Sequence, residues 1–365
     1  MEFKFYMPTR VLMEEGIVLK SGSELSRFGK KALIVTGRYS SKKNGSLDDV
    51  KTVLEKENIE YRIFDEIEEN PSVETVCKAA EIGRLENVDF IVGIGGGSPI
   101  DAAKAIGVMI KNRELTADTL FSSKKLESID IVAVPTTAGT GTETTQYSIL
   151  TDHKNKTKRN LGQAIFPVVS LLDARYMMGM SIEVTRNTAF DALSHIVEGY
   201  LNVNASIMTD ALSEKAISVW GECIEELLSG EISFETREKL MIASNIAGTI
   251  IAQNGTSLPH GMGYSLTYFK GVPHGLANGC LYKEYLNSFK NREKVDKIYK
   301  LLGLTSQEKF NKVIEVMTKV DVDITEEELK VWSKDFASNI AKLKNHPEQI
   351  TEDEIFAIYK NSLIK

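Results

Sequence analysis

Phe90-Ile91-Val92-Gly93-Ile94 runs directly into Gly95-Gly96-Gly97-Ser98-Pro99, and few folds accommodate that junction. An apolar run without polar alternation suits a strand covered on both faces, as in a parallel sheet. A parallel strand needs a crossover, and Ser98 and Pro99 offer an N-cap and a first-turn residue for a crossover helix with Asp101 at its third position. The glycines strip side chains from the backbone between strand and helix. Its amides and the positive helix end then suit an anion such as a pyrophosphate. The cluster departs from the usual Rossmann fingerprint, because Ser98 stands where a glycine is expected and the loop follows the third strand of the pattern. On these residues alone, a tight turn without a ligand is the alternative.

Similar short apolar runs occur at Ala32–Thr36, Tyr61–Phe64, Ile131–Val134 and Val168–Leu172, separated by amphipathic stretches such as Leu47–Lys56. Repeated strand, loop and helix predict a parallel sheet with helices on both faces. Residues 3–20 alternate around Pro8 and a Glu14-Glu15-Gly16 turn, which predicts short strands near an edge, in a peripheral flap. Beyond residue 178 the periodicity is helical. At 365 residues the chain exceeds one ordinary core, and the pattern divides it into an α/β domain at 1–178 and a helical domain at 179–365. Thr305 with Glu308, Thr325 with Glu328 and Thr351 with Glu354 have capping-box spacing.

A second loop, Pro135-Thr136-Thr137-Ala138-Gly139-Thr140-Gly141-Thr142-Glu143, follows the next strand and is dense in hydroxyls and glycines. Two such loops at the carboxyl ends of neighbouring strands should meet where open α/β sheets bind ligands. With 44 basic and 51 acidic residues, the formal net charge is -7 and no long block of like charge occurs, which argues against nucleic acid as a partner. Cys77, Cys223 and Cys280 have no disulfide-like or metal-like spacing, there is no leader pattern at the N-terminus, and no run reaches membrane-span length. A cytoplasmic protein without membrane attachment is expected.

Of five histidines, His153 and His346 lie in polar segments and are expected at the surface. Asp191 and His195 are four apart, on one face of a helix. His260 and His274 follow, each preceded by proline and followed by glycine. Singly, each histidine suits a core or capping role. Together, one carboxylate and three imidazoles make a shared metal site the better account, for Fe²⁺ or Zn²⁺.

In chain order, Gly95-Gly96-Gly97-Ser98-Pro99-Ile100-Asp101, the threonine loop, Asp191-Ala192-Leu193-Ser194-His195 and the two later histidines resemble the iron-containing (group III) alcohol dehydrogenases. The resemblance covers nearly the whole chain and is greatest to the compact 1,3-propanediol and butanol dehydrogenases. It implies a dehydroquinate synthase-like architecture: an α/β dinucleotide-binding domain, an all-α metal-binding domain, an active site in the cleft between them, and a homodimer. Asp191, His195, His260 and His274 then match the metal ligands. Gly95, Gly96, Gly97 and Ser98, with Asp101 behind them, match the pyrophosphate loop. Thr136, Thr137 and Thr140 match cofactor-contacting threonines, and Asn70 lies in an Asn-Pro cofactor loop.

Two departures from the family pattern are informative. Tyr264 stands where many members carry a histidine proposed as a proton relay, and its hydroxyl is a candidate for that catalytic role. Gly37 stands where NAD-preferring members carry an aspartate, and Arg38, Ser40, Ser41, Lys42 and Lys43 beside it offer cations and hydroxyls. These residues suit the 2′-phosphate of NADP(H) in preference to NAD(H). The implied reaction is reversible hydride transfer between nicotinamide and a small primary alcohol, diol or aldehyde, the metal acting as Lewis acid. Glycerol or another polyol is the alternative substrate class, and a nucleotide- and metal-binding protein without turnover is the alternative of a different kind.

Overall fold

The computed structural model describes residues 2–364, apart from the side chains of 341 and 342. Eight strands are present among them: β1 (Arg10–Met13), β2 (Lys31–Gly37), β3 (Glu60–Ile67), β4 (Phe90–Gly95), β5 (Asp130–Pro135), β6 (Ile149–Asp152), β7 (Thr157–Asn160) and β8 (Val169–Leu172). Six of them form one sheet in the order β1-β8-β5-β4-β2-β3, every pair parallel. Side chains on a strand alternate between faces. Thus Leu33, Val35 and Ile91 join one core, whereas Ala32, Ile34, Phe90, Val92 and Ile94 join the other. Both faces of the central strands are dry, which is why their sequences show no polar alternation.

The N-terminal stretch departs from expectation. β1 is an edge strand of the main sheet, paired with β8 from Arg10↔Val169 to Met13↔Leu172, rather than part of a flap. Residues 17–20 are a helical turn, not a strand. The apolar side chains that suggested a strand, Ile17 and Val18, are buried in the core beneath β2 and β4. A hairpin also appears that periodicity did not predict, β6 against β7.

Residues 7–180 form one compact unit; Ser181 onward, with residues up to Tyr6, forms the other. Tyr6 belongs to the second because its amide donates to Gln253 Oε1 and its carbonyl accepts from Gln253 Nε2, each at 2.9 Å. From Ser181 onward every regular element among the described residues is a helix. The capping boxes at Thr325 and Thr351 form. The third does not: Ser306, one residue later than expected, caps Gln307–Met317. No helix among the described residues is long and apolar enough to cross a membrane.

The helix after the glycine loop spans Gly97–Lys111, and its N-cap is Gly96 rather than Ser98. The Ser98 hydroxyl instead accepts from the Asn70 amide at 3.1 Å. This helix packs closely on β4. A Cβ on Gly93 would lie 3.0 Å from Ala103 Cβ and 3.5 Å from Ile100 Cα.

Lys104, fully buried, latches the same helix to the threonine loop. Its Nζ donates to Tyr147 O at 2.6 Å, Thr142 Oγ1 at 2.7 Å, Thr142 O at 2.8 Å and Thr145 Oγ1 at 3.3 Å. Burial pushes the amine down to about 8, with Asp101 and Glu143 opposing. The ammonium brings three protons to these four acceptors, one shared, where a neutral amine would bring two.

Two predictions follow from this packing. Gly93→Val should force the helix off β4, destabilising the protein by about 1–3 kcal/mol and weakening dinucleotide binding; urea unfolding and a fluorescence titration would measure both. Lys104→Met leaves two buried carbonyls without their donor and should cost about 3 kcal/mol. An unchanged unfolding midpoint would show that the latch carries no stability.

Candidate metal centre and dinucleotide loops

The helix Ile182–Tyr200 starts at Ser181, whose hydroxyl accepts from the Val184 amide. Asp191, His195 and Glu198, at positions 0, +4 and +7, therefore share one face, and all three are buried. His260 lies in the first turn of Leu258–Lys270, behind Pro259. His274 opens the short helix His274–Gly279.

These elements bring the four sequence-predicted ligands together. Asp191 Oδ1 lies 3.7 Å from His260 Nε2 and 4.0 Å from His274 Nε2, and Asp191 Oδ2 lies 4.0 Å from His195 Nδ1. Asp191, His195 and His260 are mutually close enough to hold one ion; His274 falls outside that tightest group and is more exposed. Asp191 Oδ1, His195 Nδ1 and His260 Nε2 are buried without a hydrogen-bond partner. Leaving one such atom unpaired costs about 1–3 kcal/mol, so three converging on one point need a shared occupant. Metal–nitrogen bonds of about 2.0–2.1 Å place tetrahedral donors about 3.3 Å apart, and the carboxylate–imidazole spacings of 3.7 and 4.0 Å are within about 0.7 Å of that. The residues fit a divalent metal.

The electrostatics agree. Burial and the neighbouring His195 hold His260 well below its ordinary value, so it is neutral with a lone pair to offer. For Asp191 burial works against ionisation, but His195, His274 and His260 together outweigh it and hold the carboxyl below its usual range.

Glu198 was not anticipated as part of the site. It is fully buried; Oε1 lies 2.6 Å from His260 Nδ1, and Oε2 accepts from the Ser257 amide at 2.6 Å. Burial raises its carboxyl to about 8, with the Ser257 amide the leading opposing contact. The sequence signal was its position seven residues after Asp191. Tyr264 stacks on His274, with centroids 5.6 Å apart and planes inclined by 16°. His346, expected at the surface, is buried against Phe289 and Tyr285, and burial lowers it to about 4.

In the α/β unit the glycine and threonine loops are in contact. Gly95 has φ +148°, a region that favours glycine. A Cβ on Gly96 would lie 2.9 Å from Thr137 Oγ1, and one on Gly97 2.8 Å from Thr140 Cγ2. The Thr136 amide donates to Gly95 O at 2.9 Å. Asp101 bonds within the protein, accepting from Thr142 Oγ1 at 2.5 Å and the Ile149 amide at 2.9 Å. It braces the loop from behind.

Asn70, at φ 58°, bridges Ser98 to the hairpin: its carbonyl accepts from Thr151 Oγ1 and its Oδ1 from Lys158 Nζ, both at 2.8 Å. Lys158, held down by burial, is a cation beside the glycine loop that the unpredicted hairpin concealed. At the end of β2, Gly37 carries no acid, and Arg38 and Ser40 are exposed, whereas Ser41 is buried. Lys42 is paired with Asp65 of β3 at 2.5 Å.

Comparison with known proteins bears on both units. Residues 8–174 match the family "Iron-containing alcohol dehydrogenase", and residues 185–363 match "Fe-containing alcohol dehydrogenase family, C-terminal". The chain is 31% identical to the NADPH-dependent butanol dehydrogenase of Clostridium saccharobutylicum over 91% of each protein. It is also 31% identical to the 1,3-propanediol dehydrogenase of Klebsiella pneumoniae over 92% of each. The crystal structure of an iron-containing alcohol dehydrogenase from Thermotoga maritima superposes with TM-score 0.92 at 43% identity over 99% of both chains. The two family matches together span both units and nearly the whole chain, and the chain belongs to the iron-containing alcohol dehydrogenase family of oxidoreductases.

Proposed function

We propose that this chain is a metal-dependent, NADP(H)-linked dehydrogenase of small primary alcohols and diols that reduces the corresponding aldehydes in the reverse direction. The observation that carries this proposal is the convergence of three buried, unpartnered donors from Asp191, His195 and His260, with His274 as the fourth ligand. Fe²⁺ is the metal that family membership favours, and Zn²⁺ suits the same donors. When bound, the metal supplies Lewis acidity to a substrate oxygen and the dinucleotide supplies or takes the hydride.

The protein's own groups do the rest. Asp191 contributes the anionic ligand, and neutral His260 a lone pair. Gly95, Gly96 and Gly97 let the amides at the start of Gly97–Lys111 approach a pyrophosphate, and Asn70, Ser98, Lys158, Thr137 and Thr140 surround that approach. Tyr264 stacks on the His274 ring, and its hydroxyl is the alternative to the favoured proton route through water and the cofactor ribose. NADP(H) preference rests on Gly37, where no carboxylate repels a 2′-phosphate, and on Arg38 and Ser40 beside it. The Clostridium saccharobutylicum relative is NADPH-dependent, which supports the same choice.

Initial rates with C2 to C6 aldehydes, diols and glycerol, using NADPH and NADH after reconstitution with Fe²⁺ or Zn²⁺, test the proposal. Aldehyde-dependent loss of NADPH absorbance should disappear on metal removal and return on reloading. His260→Ala should abolish turnover while NADPH still binds; turnover that persists in metal-free protein would refute the mechanism. Gly37→Asp should raise KM at least about tenfold for NADPH and much less for NADH, as expected when a carboxylate meets a phosphate. Equal effects on both cofactors would remove the argument for NADP(H).

A further inference from the structure

We infer that Glu198 is a positioning residue that locks His260 into the tautomer required of a metal ligand; the inference rests on the proposal that this cluster holds a metal. A neutral imidazole has one donor and one acceptor nitrogen, and the hydrogen bond made by one fixes the role of the other. His260 Nδ1 lies 2.6 Å from Glu198 Oε1; a cation among the ligands favours the ionised carboxylate over the neutral acid that burial alone favours, so Nδ1 donates there. The lone pair is thereby left on Nε2, the atom that faces Asp191 at 3.7 Å and has no other partner. In the opposite tautomer a lone pair would confront the carboxylate, and an N–H would point into the ligand cluster.

Glu198 also fixes where that imidazole stands. Its second oxygen accepts from the amide of Ser257, the N-cap residue of Leu258–Lys270, whose own side chain makes no capping bond. The carboxylate therefore serves the function of a capping-box glutamate from a different helix, satisfying an orphan donor at the helix start three residues before the ligand. Tyr282 encloses it from the other side, with its hydroxyl donating to Ser194 O at 2.8 Å and lying 3.5 Å from Oε1. One helix thus supplies Asp191, His195 and the residue that aims His260.

A glutamine in this place has one acceptor oxygen for two N–H donors, so either the His260 tautomer or the helix start is lost. Carboxylate partners of ligating histidines typically contribute about 10–100-fold to metal affinity. Chelator competition with Zn²⁺ on the full chain should show Glu198→Gln binding about 10–100-fold more weakly, with NADPH affinity unchanged and the d–d spectrum of the Co²⁺-loaded protein altered. Glu198→Asp, which keeps the charge on a shorter stem, should recover part of the affinity. Tyr359→Phe removes a buried hydroxyl that donates to Met262 O, in the helix of His260; it should lower the melting temperature but leave Zn²⁺ affinity within about twofold, since that hydroxyl bonds neither Glu198 nor a ligand.

Zn²⁺ affinity that is unchanged in Glu198→Gln, or reduced equally in Tyr359→Phe, overturns the role assigned to Glu198. A wild-type protein that takes up no Zn²⁺ overturns the metal site itself, and the inference with it.

Discussion

A carboxylate and imidazoles enclosed in an apolar core must find partners, and the helical unit is arranged around that demand. Asp191, His195, His260 and Glu198 are all buried, on helices whose other faces carry the hydrophobic core. Part of the demand is met inside the protein: Glu198 takes the Ser257 amide and His260 Nδ1. The remainder is directed inward, to the unpartnered atoms of Asp191, His195 and His260. A cation answers this combination, because it compensates the buried charge and accepts lone pairs that no hydrogen-bond donor reaches.

The α/β unit solves a different problem, that of exposing backbone at the end of a strand without letting it collapse. The answer is mutual support. Gly96 and Gly97 lie against Thr137 and Thr140, Asp101 holds Thr142 and the Ile149 amide, and Lys104 gathers carbonyls and hydroxyls from 142 to 147. Ser98 and Asn70 extend the brace to the β6–β7 hairpin. Rigid support of this kind keeps binding loops in place before a ligand arrives.

Features set by local chemistry were readable in the sequence. The central strands were evident because both faces are buried, and the ligand pair Asp191 and His195 because helical spacing alone puts them side by side. Features set by tertiary partners were not. Ser98 has the composition of an N-cap, but a long-range bond from Asn70 claims its hydroxyl. Ile17 and Val18 look like strand residues but fill a core across a helical turn. His346 sits among polar neighbours in sequence and aromatic ones in space. Glu198 shares the face of Asp191, yet one acidic residue on a helix is ordinary until the His260 ring is found 2.6 Å away. β6 and β7 are short and polar, and much of their anchoring comes from Asp101, Pro71 and Asn70, all distant in sequence.

The contact between the glycine and threonine loops constrains how such an enzyme can diverge. Because Thr137 and Thr140 occupy the volume where side chains at 96 and 97 would begin, the positions in each pair form a single steric unit. Enlarging one member calls for shrinking the other, so paths that alter these loops one residue at a time pass through overpacked intermediates. On the proposed function, variation in cofactor recognition is then channelled toward the rim, at Arg38 and Ser40, whose side chains are exposed.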